Sequence, residues 1–501
     1  MKMLIDGRFA DASDGQTIDV INPVTGAVVD TIPKATREDA DNVMAASKRG
    51  LEKWKITPLK EKEIIFERFF SLMNEHKREI LGTLMEESGS SMRNALFQWQ
   101  GISGLFKGYL ETAKRYDGRV LVPGTEAGHD GKTEYDLQMV VYEPVGTVLA
   151  VVPFNAPLML FGYKVAPALA AGNTVIVKPP TSNPLALMKL IELLWEAGVP
   201  GDVLQVITGS GAAIGDWLLM DKRVDAVTMT GSTEVGMHIA DIMAKRLSPC
   251  ALELGGNDPY IVMEDADVEA AAREAVSWRM NSAGQVCIAP KRFIVQNSVI
   301  DKFTWIVLET VENIQMGFNV NIQDELDRYV EKDFSELKPG KMMMNSLISE
   351  PAAIQVEGQI QHTIDQGAQL LIGGKRHGSF IEPTVLVHVS KDMDIACDME
   401  IFGPVMPIIG FDTEEEAVEI ANSSQFGLSG CVMTNDWKRG MNMARRIQSG
   451  GVVVNGTGTY RNMMQPFGGY KMSGTGKEGF LTLGEMVNKK VIVLKGFLEN
   501  Q

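Results

Sequence analysis

Four short segments carry side chains that can do chemistry together. Ser282-Ala283-Gly284-Gln285-Val286-Cys287 places a thiol after a Gly-Gln turn and before Ile288-Ala289-Pro290. A cysteine nucleophile needs access and a route to thiolate, and a loop of small residues supplies the access. Alone, Cys287 is more readily a small buried apolar residue; its setting shifts the balance toward a nucleophile. Leu252-Glu253-Leu254-Gly255-Gly256-Asn257-Asp258-Pro259 sets one carboxylate between two leucines, ahead of a glycine pair. A glutamate in partly apolar surroundings has a raised pKa and can act as a general base; the plainer alternative is a solvated glutamate at a strand end. Pro153-Phe154-Asn155-Ala156-Pro157 fixes an asparagine between prolines after an apolar run. A fixed amide N–H can stabilise an oxyanion, worth about 2.7–4 kcal/mol in a transition state, or Asn155 is merely a polar turn residue. Thr230-Gly231-Ser232-Thr233-Glu234-Val235-Gly236 follows an apolar run and opens a helical stretch, which suits a pyrophosphate. Gly209-Ser210-Gly211 is a lesser glycine turn nearby, and neither segment is a GxGxxG fingerprint.

These segments sit within a regular alternation. Apolar strand-like runs at 148–152, 174–177, 203–207 and 224–229 are separated by helix candidates at 157–171, 184–197, 211–219 and 233–246. That order predicts a doubly wound parallel sheet with ligands at the carboxyl ends of its strands. Residues 36–116 read largely as helix, and 119–144 as an exposed hairpin. After about residue 255 the alternation restarts, with helices near 267–280, 300–313 and from 352, which predicts a second α/β domain. The stretch 322–341 is polar, ends in Pro339-Gly340 and reads as a surface excursion. Residues 489–494 form an apolar strand beyond the apparent core, of the kind that completes a sheet in a partner subunit.

Composition narrows the function classes. The 501 residues predict two to four domains and a core that needs no covalent staples. Four cysteines without a CxxC pair argue against a disulfide framework or zinc ribbon, and six scattered histidines against a metal site. A formal charge of −16 disfavours nucleic acid and anionic membranes as partners. Residues 145–163 lack charge for the length of a membrane span, but Pro153, Asn155 and Pro157 interrupt them, and strand, loop and helix fit better. Asp6 falls where a signal peptide needs its apolar region, so a cytoplasmic location is expected.

Together the segments resemble the aldehyde dehydrogenase superfamily over nearly the whole chain. The resemblance rests on Pro153-Phe154-Asn155, Lys178-Pro179, Thr230-Gly231-Ser232, Glu253-Leu254-Gly255-Gly256, Gly284-Gln285-Val286-Cys287, Glu400-Ile401-Phe402-Gly403-Pro404-Val405 and Pro466-Phe467-Gly468-Gly469-Tyr470-Lys471. It implies a Rossmann-like doubly wound cofactor domain (1–118 and 145–255), a second α/β catalytic domain (256–477) and a small β oligomerisation element (119–144 and 478–501). It implies NAD(P)-dependent oxidation of an aldehyde to the acid. Cys287 would form a thiohemiacetal and then a thioester, Asn155 and the Cys287 N–H would hold the oxyanion, and Glu253 would activate water. Lys164 would support the Asn155 side. Lys178 would meet the adenosine ribose, Ser232 the pyrophosphate and Glu400 the nicotinamide ribose beside Phe402, with Pro153, Phe154, Gly211 and Gly231 along the cofactor. A homodimer or homotetramer is implied, and no metal.

Two departures bear on specificity. The common NAD-type acid three residues after the ribose lysine is here Thr181, which removes a repulsion from a 2′-phosphate, so NADP⁺ is expected to be accepted as well as NAD⁺. Ala156, Leu160, Tyr163, Val286, Ile288, Arg461 and Phe467 fall at positions that line the family's tunnel. Arg461 favours an anionic substrate end, and the Tyr460-Arg461 pair resembles lactaldehyde- and phosphonoacetaldehyde-type members. Val286 stands where members handling phosphorylated aldehydes often have a second arginine. A short aldehyde with a carboxylate, sulfonate or hydroxyl tail is therefore expected. The alternatives are a CoA-acylating semialdehyde dehydrogenase, disfavoured by Glu253, and a catalytically silent relative, disfavoured by the joint presence of Cys287, Glu253 and Asn155.

Overall fold

Runs of β-branched and aliphatic residues between amphipathic helices build two seven-stranded sheets in the computed structural model, which describes residues 1–123, 135–333, 336 and 342–499. In the first sheet, Thr174–Lys178 and Leu204–Val206 lie in parallel on one side of the starting strand Thr147–Val151. Ala226–Thr230 and Cys250–Glu253 follow on its other side. The order therefore reverses between Thr147–Val151 and Ala226–Thr230, the crevice where an open α/β sheet binds its ligand. Asn155 follows the first of these strands and Thr230-Gly231 ends the second. The sheet is mixed rather than wholly parallel, because Met3–Ile5 and Arg8–Ala10 add two antiparallel strands at its far edge.

Local signals set the elements. Helix Pro157–Ala171 starts on proline, whose fixed φ suits the first helical position, and stops at Gly172 with φ +96°. The 145–163 stretch is thus strand, loop and helix, as its prolines demand. Helix Leu185–Ala197 has no side-chain cap of its own. The buried Glu87 carboxylate supplies one, accepting from Leu185 N at 2.7 Å and Ala186 N at 2.9 Å.

The second sheet holds Gln369–Ile372, Thr384–Val387, Val405–Phe411, Arg292–Gln296, Pro259–Val262, Ser429–Met433 and Gly451–Val454, in that spatial order. Only its Gln369–Ile372 edge is antiparallel. Separate apolar cores form around the two sheets, and Leu483 and Met486 fold back into the first of them.

Two expectations are corrected. The terminal strand Val487–Leu494 is not an orphan: it pairs antiparallel along its whole length with Leu137–Pro144 of the same chain, which also pairs with Arg119–Leu121. The hairpin tip between those strands lies outside the described residues. The 322–341 stretch is not simply a surface excursion, for it begins with helix Ile322–Tyr329. Leu326 buries itself in the first core, and Arg78 holds Asp327 at 2.6 Å and Gln323 at 3.0 Å. Most of 334–341 lies outside the described residues.

Candidate active site

Two cavities meet at Cys287. The smaller, about 370 Å³, is lined by Cys287, Asn155, Glu253, Ala156, Leu160, Tyr163, Val286, Ile288, Arg461 and Phe467. The larger, about 1000 Å³, is lined by Pro153, Phe154, Lys178, Thr181, Gly211, Gly231, Ser232, Glu400 and Phe402, and again by Asn155 and Cys287. The sequence-selected residues are thereby brought into one place. Lys164 is the exception: it lies behind the cavity walls, 1% exposed.

The nucleophile loop is shaped by its backbone. Ser282, Ala283 and Gly284 have φ of 51°, 54° and 76°, three left-handed residues in succession. Such φ values are strained for non-glycine residues, and this strain, at Ser282 and Ala283, sits five and four residues from the thiol. A Cβ on Gly284 would collide with the Gly403 carbonyl, so only glycine closes the turn. Gln285 fastens it: its amide nitrogen donates to Ser282 O at 3.0 Å, its side-chain oxygen accepts from Ile348 N at 2.9 Å, and its carbonyl accepts from Asn155 Nδ2 at 3.0 Å. Asn155 is thus oriented by the loop that carries Cys287, and its amide has a second N–H to offer.

Electrostatics suit acid–base work. Enclosure pushes the Cys287 thiol up to about 12, the Lys291 charge opposing. Glu253, 4% exposed, has neither carboxylate oxygen bonded to another group among the described residues. Burial, and then the negative Glu478 beside it, raise its pKa well above the usual carboxylate range, while Lys164, Arg461 and Lys477 pull the other way. A carboxylate so placed is a stronger base than a solvated one. Gly468 makes room for it, since a Cβ there would collide with Glu253 Oε1 and the Gly476 carbonyl.

Glu478 organises the far wall and was not singled out from sequence. Its Oε1 lies 3.2 Å from Lys164 Nζ and its Oε2 3.3 Å from Arg461 Nη2. Lys164 also donates to Thr230 Oγ1 at 2.6 Å. The Arg461 guanidinium packs on both Tyr163 and Phe467, 4.1 and 4.0 Å from their ring centres. Nothing in Lys477-Glu478-Gly479 announces this role, because the three partners come from residues 164, 230 and 461. Helix Ile322–Tyr329 is a second element missed as a contributor: Glu325 and Tyr329 line the smaller cavity.

The larger cavity fits a nicotinamide dinucleotide. Ser232 caps helix Thr233–Ala244, leaving a helix N-terminus at the crevice for a diphosphate. Burial brings the Lys178 ammonium down to about 8, and it donates to Pro179 O and Thr181 Oγ1 at 3.0 and 3.3 Å. Leu218, Leu219, Val235 and Ile239 add apolar walls for a planar base. Gly256 N donates to Glu400 Oε1 at 3.2 Å, and a Cβ on Gly255 would strike Glu400 Oε2, so the glycine pair seats this carboxylate. Phe402 meets Phe154 edge-on at 6.0 Å. Among the described residues no cluster of three His, Cys, Asp or Glu side chains is placed to hold a metal ion, and no helix is long and apolar enough to cross a membrane.

Comparison with known proteins extends this geometry. A model of the aldehyde dehydrogenase family matches residues 9–492. The chain is 33% identical over 480 residues to the NADP(+) succinate-semialdehyde dehydrogenase of Escherichia coli (strain K12), covering 95% of this chain and 94% of that one. It is 33% identical over 479 residues to a 3-sulfolactaldehyde dehydrogenase of Pseudomonas putida, covering 95% and 93%. Among solved structures, a betaine aldehyde dehydrogenase from Staphylococcus aureus in complex with NAD+ matches with a TM-score of 0.89 at 30% identity, over 99% of this chain and 95% of that one.

Proposed function

Because the chain belongs to the aldehyde dehydrogenase family, we propose that it oxidises a short aldehyde with an anionic or polar tail to the carboxylic acid, through Cys287, Asn155, Glu253 and Lys164. The observation that carries the reading is that Cys287 and Asn155 line both cavities while Glu253 faces the smaller one. Nicotinamide bound in the larger cavity supplies the hydride acceptor. Cys287 attacks the aldehyde carbon, and Glu253, which lines the same cavity with neither oxygen bonded among the described residues, takes the thiol proton. Asn155 and the Cys287 N–H stabilise the negative oxygen of the thiohemiacetal. Loss of hydride from its carbon leaves a thioester on Cys287. Glu253, having passed the thiol proton to solvent, then takes a proton from the water that attacks the thioester; the C–S bond breaks, the Cys287 sulfur is freed and the acid departs. Lys164 acts through Glu478 and Thr230 to hold the wall behind Glu253.

In the cofactor cleft we assign Lys178 to the adenosine ribose, Ser232 to the pyrophosphate and Glu400 to the nicotinamide ribose, with Pro153, Phe154, Gly211, Gly231 and Phe402 packing along the chain. Thr181 leaves room for a 2′-phosphate. On the substrate side, Tyr163, Val286, Ile288 and Phe467 form the apolar walls, and Arg461 meets the tail. Glu478 takes one edge of the guanidinium, while its Nε bonds to no other group among the described residues. The small cavity volume favours a short substrate. Similarity to enzymes named for succinate semialdehyde and 3-sulfolactaldehyde supports an anionic tail. Strand Val487–Leu494 exposes Val491 and Val493, and such an apolar edge supports a homo-oligomer.

The deciding experiment offers a panel of carboxylate-, sulfonate-, hydroxyl- and alkyl-tailed aldehydes with NAD⁺ and with NADP⁺, following reduced nicotinamide by absorbance. Anionic short-chain aldehydes are expected to give the highest kcat/KM. Turnover confined to long apolar aldehydes would refute the assignment of the tail site.

A further inference from the structure

Lys291 lies behind the nucleophile and has no part in the reaction just described. It is 2% exposed and immediately precedes strand Arg292–Gln296. Its ammonium donates to the Cys287 carbonyl at 2.5 Å and the Val286 carbonyl at 3.2 Å, and it pairs with Glu400 Oε1 at 3.3 Å. Glu400 lines the larger cavity. One buried cation therefore touches both the backbone of the thiol-bearing residue and a carboxylate of the cofactor cleft.

We propose that Lys291 is a positioning residue that couples the cofactor cleft to the nucleophile: hydroxyls that bind Glu400 weaken its hold on Lys291, and more of the lysine's charge then bears on Cys287. This rests on the assignment of Glu400 to the nicotinamide ribose. A buried ammonium must be paired to be tolerated, and here its pairing is divided between one carboxylate and two carbonyls. The charged groups facing the thiol are Lys291, Asp258, Glu400 and Glu478, with Glu253 across the cavity. Lys291 is the cation of this set, so its field is what favours thiolate. Drawing Glu400 toward a ligand shifts the balance at the sulfur in the same direction. Such coupling is reciprocal: a thiolate at Cys287 tightens the cleft for the dinucleotide by the same factor.

The test measures iodoacetamide alkylation of Cys287 against pH, by mass spectrometry of the Cys287 peptide, on the whole protein with and without saturating NADP⁺. The midpoint is read rather than the rate, because a bound dinucleotide also shields the thiol. In the unsubstituted protein the midpoint is expected to fall on NADP⁺ binding. Lys291→Met is expected to raise it by one unit or more, about a tenfold loss of thiolate at fixed pH, and to abolish the response to NADP⁺. Glu400→Gln is expected to lower the midpoint without dinucleotide and to blunt the response. A Lys291→Met protein that keeps both the original midpoint and its response overturns the coupling. Should that variant not fold, Glu400→Gln decides: an unchanged midpoint and response overturn it equally. No aldehyde is used, so a chain that couples in this way yet oxidises none of the panel would refute the proposed reaction and leave the coupling standing.

Discussion

Arg461 and Glu478 form an ion pair in the wall of the substrate cavity, Nη2 to Oε2 at 3.3 Å, with side chains only 11% and 6% exposed. Tyr163 and Phe467 both lie against the guanidinium, which restrains it. A cation held this way recognises an anion by direction as well as by charge. Arg461→Met is expected to raise KM for carboxylate- and sulfonate-tailed aldehydes by roughly 10- to 100-fold, the loss of a charged hydrogen bond of about 1.5–3 kcal/mol. Neutral aldehydes of equal length are expected to change little. Steady-state kinetics on matched substrates check this, and an equal loss on both would remove Arg461 from tail recognition.

Glu253 is given both proton-transfer steps. Glu253→Gln is expected to lower steady-state turnover by about 10²–10⁴-fold, the usual contribution of a positioned base. Acylated Cys287 should accumulate, visible as an intact-mass increase after mixing with aldehyde and dinucleotide. Unimpaired hydrolysis would assign the water-activating step elsewhere.

The pH profile follows from the surroundings of Glu253. Its base form is the active one, so kcat/KM rises as pH climbs through its pKa, which burial and Glu478 have moved upward. Replacing Glu478 by glutamine removes a negative neighbour, makes ionised Glu253 less costly, and is expected to shift the rising limb to lower pH. A limb displaced to higher pH in Glu478→Gln would contradict this sign.

Cofactor choice is assigned to residue 181. Thr181 bonds the Gly209 carbonyl at 3.1 Å and accepts from Lys178 at 3.3 Å. On the proposed cofactor assignment, Thr181→Glu would set a carboxylate beside a 2′-phosphate, and like charges so juxtaposed cost several kcal/mol. KM for NADP⁺ is expected to rise by a factor of ten or more and that for NAD⁺ to change little. Parallel titrations with both cofactors measure the ratio.

The strand Val487–Leu494 is exposed along nearly its whole length despite Val491, Ile492, Val493 and Leu494. Val491→Glu with Val493→Glu is expected to lower the mass measured by light scattering from that of a homo-oligomer to that of a single chain. A single-chain mass for the unsubstituted protein would end the oligomer assignment.

The parts legible in the sequence are those with a local cause. The strand and helix alternation from 147 to 244 follows from buried apolar runs and flanking Gly and Pro, and the ligand crevice follows from the strand order they generate. Cys287, Glu253 and Asn155 could be picked out because each stands in a short contiguous segment, and the fold brings the three to one cavity. Glu478 was not, because Lys164, Thr230 and Arg461 reach it only through folding. The edge strand Met3–Ile5 pairs with a segment some two hundred residues away, which no periodicity signals. Helix Ile322–Tyr329 was hidden by its polarity: Leu326 is its one fully buried side chain, with Ile322 and Tyr329 packed partly buried against the core.

The thiol stands in a wall shared by two cavities. On the proposed reaction, aldehyde and dinucleotide would occupy different cavities, and neither would have to leave before the other could move. The order of departure would then be a contest of rates, open to change by substitutions in either cavity that never touch the sulfur.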